Sequence, residues 1–142
     1  MTVYIDADGC PVVKEAVMLC RKSGAECTII CDTSHIFNIE GVRTITVEKG
    51  ADSADMKLVN MVCAGDIAIT QDYGLAAMCL AKKARVINQD GIEYTDLNID
   101  AMLYSRYESK KIRMAGGRLK GPKKRSSEQT EAFVNKLRLM LE

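Results

Sequence analysis

Five short runs of β-rich, continuously apolar residues recur along the chain: Val3 to Ile5, Cys27 to Cys31, Thr44 to Val47, Ile67 to Thr70 and Arg85 to Ile87. A strand with one face in water alternates apolar and polar residues, so unbroken apolar runs belong to strands covered on both faces. Between several of them lie segments with apolar residues at helical spacing: Val12 to Ser23 (Val13, Val17, Cys20), Asp55 to Cys63 (Leu58, Met61, Val62) and Tyr73 to Lys82 (Leu75, Met78, Cys79). This alternation predicts a three-layer α/β fold, a mostly parallel sheet with helices on both faces. Such folds bind ligands beyond the carboxyl ends of their strands, where the strand order reverses.

Helix starts are readable as well. Pro11 suits a first helical turn, Asp52 or Ser53 can cap the second helix and Asp72 the third. A further helix runs from Asn98 towards Met114, after which Gly116-Gly117 and Gly121-Pro122 break the chain. The last helix begins near Ser126 or Ser127, and Phe133, Leu137 and Leu141 form a stripe that should dock on the body. At 142 residues the chain reads as one domain. It divides into an acidic α/β body (1–103) and a basic C-terminal extension (104–142), the latter with a loop at 115–126 and a docking helix at 127–141.

With 47% hydrophobic and 27% charged residues the chain is too apolar to be wholly disordered. No run approaches 18 consecutive apolar residues and no basic-apolar leader opens it, so the expectation is a cytoplasmic protein with no membrane segment. The six cysteines form no Cys-x-x-Cys pair and His35 is the only histidine, which argues for free thiols in a reducing compartment over a zinc site. A homo-oligomer is left open.

The formal net charge of +1 conceals a segregation. Residues 1–103 hold 9 Lys+Arg against 15 Asp+Glu, a net of −6, and residues 104–142 hold 11 against 4, a net of +7. The acids fall at particular places. Asp6 and Asp8 follow the first strand, Asp72 lies just past the fourth, and Asp52 and Asp55 stand i,i+3 at a helix start that the third strand delivers to the same edge. Carboxylates gathered there repel one another unless protonated or neutralised, and hard oxygen donors suit Mg²⁺ or Mn²⁺. Such sites bind phosphate oxygens and activate water. Each acid also has a structural task open to it, as a helix cap or an Asx turn, although Asp6 has no evident one. Asp66 precedes its strand, belongs to the opposite edge and reads as structural.

Asp6-Ala7-Asp8-Gly9-Cys10-Pro11-Val12, Gly50-Ala51-Asp52-Ser53-Ala54-Asp55, Gly65-Asp66-Ile67-Ala68-Ile69-Thr70-Gln71-Asp72, Tyr94-Thr95-x-x-Asn98-Ile99 and Gly116-Gly117 leading to Gly121-Pro122-Lys123 span nearly the whole chain in order. In these motifs the sequence resembles the YaiI/YqxD family of bacterial proteins, which is similar in turn to PIN-like domains, α/β metal-dependent ribonucleases with clustered acids at the carboxyl edge of a parallel sheet. The resemblance implies that Asp6, Asp55 and Asp72 are the core catalytic, metal-binding acids, with Asp8 and Asp52 accessory. The rival is a haloacid-dehalogenase-like phosphatase, in which Asp6 would be the nucleophile and Asp8 the general acid. Cys10-Pro11 fits that pattern poorly.

Nine cations (Arg106, Lys110, Lys111, Arg113, Arg118, Lys120, Lys123, Lys124, Arg125) lie between Tyr104 and Arg125 against one acid, Glu108. Arg106, Lys110 and Arg113 share a helical face. Beside a phosphate-cutting site, such a segment is expected to hold a nucleic-acid backbone, RNA before DNA, with Tyr104 and Tyr107 available to stack on bases. A third reading is a non-catalytic RNA- or protein-binding module whose acids only cap helices.

Overall fold

The computed structural model describes all residues except 35–36, 51–52 and 117–123, and omits the side chains of residues 106 and 113. In chain order the elements are β1 (Thr2–Asp6), α1 (Val13–Ser23), β2 (Glu26–Asp32), β3 (Arg43–Val47), α2 (Ser53–Met61), β4 (Ile67–Ile69), α3 (Tyr73–Ala81), β5 (Arg85–Ile87), β6 (Glu93–Tyr94), α4 (Ile99–Met114) and α5 (Ser127–Met140). The strands form one sheet in the order β3-β2-β1-β4-β5-β6, parallel throughout except for β6, which pairs antiparallel with β5. The architecture is the expected three-layer α/β fold.

Strand alternation divides the core in two. Val3, Ile5, Ile29, Ile67, Ile69 and Ile87 turn to one face and pack with α1 and with Phe133, Leu137 and Met140 of α5. Tyr4, Ile30, Ala68 and Val86 turn to the other and pack with Leu58 of α2, Leu75 and Cys79 of α3 and Ile99 of α4. In the final helix Met140, rather than Leu141, completes the buried stripe.

Pro11 falls ahead of its helix, not in its first turn. Ala7 to Cys10 close a turn through Cys10 N–H donating to the Ala7 carbonyl at 3.0 Å, with Gly9 at φ +75°, and Val12 is the N-cap residue of α1. Asp66 is structural, as expected: it is buried, and its oxygens accept from Thr2 N (3.0 Å) and Cys63 N (2.9 Å) at the amino edge. Strand β6 escapes the sequence reading. It is made by a turn in which Asn88 Oδ1 accepts from both Asp90 N and Ile92 N at 2.9 Å, and Asp90-Gly91 ahead of Ile92-Glu93-Tyr94 is the signal that marks it.

The chain leaves β1 for β2 and β3 on one side and returns to β4 on the other, so the strand order reverses between β1 and β4. A parallel sheet opens a crevice at the carboxyl ends of two such strands.

Candidate active site

At that crevice an open cleft of about 600 Å³ is lined by Asp6, Asp8, Asp55, Gln71, Asp72 and Tyr73. Asp6 ends β1 on the face that carries α2 and α3, and Asp8 follows in the β1–α1 turn. Asp55 stands in the first turn of α2, and Asp72 caps α3, its Oδ1 accepting from Leu75 N at 3.1 Å. Four of the five expected acids are therefore gathered by three separate chain segments. The fifth, Asp52, lies outside the described residues.

Hydrogen bonds tie these segments together. Thr70 Oγ1 donates to Asp6 Oδ2 at 2.8 Å and accepts from Asp72 N at 3.0 Å. Gln71 Nε2 donates to the Gly9 carbonyl at 2.8 Å, joining the β4–α3 loop to the β1–α1 turn. Both oxygens of Asp8 accept from Asp32 N, at 3.2 and 3.0 Å, which anchors that turn to the end of β2. The sequence reading missed Thr70 and Gln71 as site residues. Thr70 carried a signal, being the one polar residue closing an otherwise apolar run, and it is 2% exposed. Tyr73 also lines the cleft and meets the buried Tyr94 ring edge-on at 5.9 Å.

Burial raises the Asp6 carboxyl to about 6; the Thr70 hydrogen bond opposes the rise, and the charges of Asp55, Asp8 and Asp72 add to it. The other three acids of the cleft thus act electrostatically on Asp6. Among the described residues, no three His, Cys, Asp or Glu side chains form a ready ligand group for a metal ion. The donor chemistry fits a hard divalent cation, since every acidic donor at the cleft is a carboxylate, but a shared ion would require the side chains to draw inward.

The basic segment reaches the same edge at Arg125. Its Nη1 pairs with Asp90 Oδ1 at 2.6 Å and its Nη2 donates to the Gln89 carbonyl at 2.6 Å, in the turn that follows β5. Burial pushes the Cys10 thiol up, and it senses both the Asp6 charge and, in the opposite direction, that of Arg125. Arg125 therefore sits within electrostatic reach of Cys10, with its guanidinium engaged in a structural clasp. Lys110 and Lys124 are exposed. Arg106 and Arg113 belong to α4, and Arg118, Lys120 and Lys123 lie outside the described residues.

The family model described as "Uncharacterized BCR, YaiI/YqxD family" matches residues 4–142. The chain belongs to the YaiI/YqxD family. A UPF0178 protein of Exiguobacterium sibiricum is 49% identical over 133 residues, 94% of this chain and 91% of that protein. Another, of Ruminiclostridium cellulolyticum, is 48% identical over 141 residues, covering 99% and 92%, and one of Clostridium acetobutylicum is 41% identical over 143 residues, covering 99% and 97%. One motif of this YaiI/YqxD chain has a structural explanation. In Tyr94-Thr95-x-x-Asn98, Thr95 N donates to Asn98 Oδ1 (2.8 Å) and Asn98 N to Thr95 Oγ1 (3.3 Å), a reciprocal cap at the start of α4. No described helix is long and apolar enough to cross a membrane.

Proposed function

We propose that this protein is a PIN-like, metal-dependent nuclease that acts on RNA in preference to DNA. The observation that carries the reading is the convergence of Asp6, Asp8, Asp55 and Asp72 on one open cleft where the strand order reverses. Asp6, Asp55 and Asp72 would hold Mg²⁺ or Mn²⁺, with Asp8 and Asp52 completing the ligand set. A divalent ion there supplies charge neutralisation for a phosphodiester and acidifies a water.

The chain's own residues do the rest. Asp6, half protonated near pH 6 without an ion, is held towards the cleft by Thr70. Asp72 is aimed by its cap on α3, and Gln71 fixes the two acid-bearing loops to each other. Arg106, Lys110, Arg113 and Lys124 supply cations for a phosphate backbone, and Arg125 anchors their segment beside the cleft.

Asp72→Asn is the decisive variant, because Asn is as good a helix cap as Asp and removes only the charge. Calorimetric titration with Mn²⁺ should give saturable binding to the wild type and at least a tenfold weaker response from Asp72→Asn. Cleavage of a single-stranded RNA should need Mn²⁺ or Mg²⁺ and vanish in Asp6→Asn. Cleavage that survives both chelation and Asp6→Asn would sink the proposal, and RNA binding without ion-dependent cleavage would leave a binding module in its place.

A further inference from the structure

At the amino edge, remote from the acids, a second cavity of about 470 Å³ opens between the end of α1 and the starts of β1, β2 and β3. Its lining includes Cys20 of α1 and Cys27 of β2, together with Arg21 and Arg43. Both cysteines are free thiols, and both pack into the core layer between α1 and the sheet. Only the turn at Gly24-Ala25 separates their elements. There Gly24, at φ +79°, reverses the chain and donates its N–H to the Cys20 carbonyl, while Ala25 N donates to the same oxygen at 3.1 Å. This reversal lays the start of β2 back along the last turn of α1 and sets both thiols on the same cavity, where each is the main influence on the other's ionisation.

We propose that Cys20 and Cys27 form a peroxide-sensitive dithiol that closes to a disulfide across the α1–β2 turn. Three observations carry this inference: two thiols packed in one core layer, a cavity lined by both that admits a small oxidant, and a short connection between their elements. Accepting the Cys27 S–H bond lowers Cys20 from the ordinary thiol value, while the proton on Cys27 is held more firmly. The pair thus gives up its first proton more readily than a lone buried thiol and keeps the second until the first sulfur has reacted.

The chemistry balances with hydrogen peroxide as the oxidant. A thiolate of the pair attacks one peroxide oxygen, the O–O bond breaks, and hydroxide leaves, giving a sulfenic acid. The second sulfur loses its proton and attacks the first; the S–S bond forms and the S–O bond breaks. Two thiols and one peroxide yield one disulfide and two waters, with two electrons passing from sulfur to oxygen.

Cys63 provides an internal control, being exposed and distant in sequence from the pair. Folded wild-type protein treated with increasing hydrogen peroxide should lose the mass of two hydrogens, and proteolysis without reductant should recover the peptides bearing Cys20 and Cys27 as one linked species. Cys63→Ser should behave as the wild type, and Cys27→Ser should show no linked species. Modification of Cys63 alone at peroxide levels that leave Cys20 and Cys27 as thiols overturns the proposal. Linkage through any other cysteine does the same. The measurement requires neither nuclease activity nor a metal ion, so its outcome is independent of the function proposed above.

Discussion

The Thr70 hydroxyl lies between two of the clustered acids, donating to Asp6 Oδ2 at 2.8 Å and accepting from the backbone N–H of Asp72 at 3.0 Å. One side chain thereby stabilises the ionised form of a partly buried acid and fixes the turn that presents another. Thr70→Val keeps the shape and removes both bonds. Because Thr70 is 2% exposed, stability should fall by about 1–3 kcal/mol, the usual cost of buried partners left unsatisfied. The Asp6 carboxyl should also titrate above its present value of about 6. Denaturant unfolding checks the first expectation and a carbon NMR titration of the Asp6 carboxyl the second.

Asp6 also makes the ion-free protein sensitive to pH. Its folded value of about 6 lies above the ordinary carboxyl value of 3.8, so the folded state binds more protons than the unfolded chain between those limits. Stability then falls as pH rises through that window, and the cost is fully present above about pH 6. A difference of about two units corresponds to about 3 kcal/mol as an upper figure. Asp6→Asn should therefore be more stable than the wild type at about pH 7.5, should lose most of that advantage by about pH 4, and should bind Mn²⁺ poorly. Unfolding in urea at a series of pH values checks the sign. An advantage of Asp6→Asn over the wild type that does not grow between about pH 4 and 6 contradicts the electrostatic account of the cleft.

The layered fold was legible in the sequence because apolar runs without alternation have few other uses than strands covered on both faces. Four acids of the cleft were legible because strand direction assigns each loop to an edge before any contact is known. Thr70 and Gln71 were harder to find, since their importance lies in hydrogen bonds between loops far apart in sequence. Arg125 shows the same limit in reverse. A charge count groups it with eight other cations, while the fold commits its guanidinium to Asp90 and the Gln89 carbonyl.

Gly91 is where the β5–β6 turn meets α5. It sits at φ +82°, and a Cβ there would lie 2.5 Å from the Ala132 carbonyl oxygen, closer than such atoms approach. Gly41 has nearly the same φ, +78°, but a Cβ at that position would have nothing within 4 Å. Gly41→Ala thus isolates the backbone strain, about 1 kcal/mol. Gly91→Ala adds displacement of α5 and should cost about 2–4 kcal/mol in all. Equal losses in thermal or denaturant unfolding would mean that the close approach to α5 contributes nothing.

Lys124 and Arg125 are adjacent cations in different surroundings, and the contrast separates holding a nucleic acid from holding the fold. Lys124 is exposed, whereas Arg125 is clasped by Asp90, by the Gln89 carbonyl and by Thr130 Oγ1 at 3.3 Å. If the basic extension tracks a phosphate backbone, Lys124→Gln should weaken RNA binding and flatten the dependence of log affinity on log salt by about 0.7 for a single strand, leaving stability within about 0.5 kcal/mol of the wild type. Arg125→Gln should do the opposite: a stability loss of about 1–3 kcal/mol from an unpaired Asp90 and a freed carbonyl, with little change in salt slope. Fluorescence anisotropy with a labelled single-stranded RNA at several salt concentrations, alongside urea unfolding, reads both quantities. A salt slope unchanged by Lys124→Gln but lowered by Arg125→Gln would move the phosphate contact onto Arg125, and the clasp to Asp90 would then have to open when RNA binds.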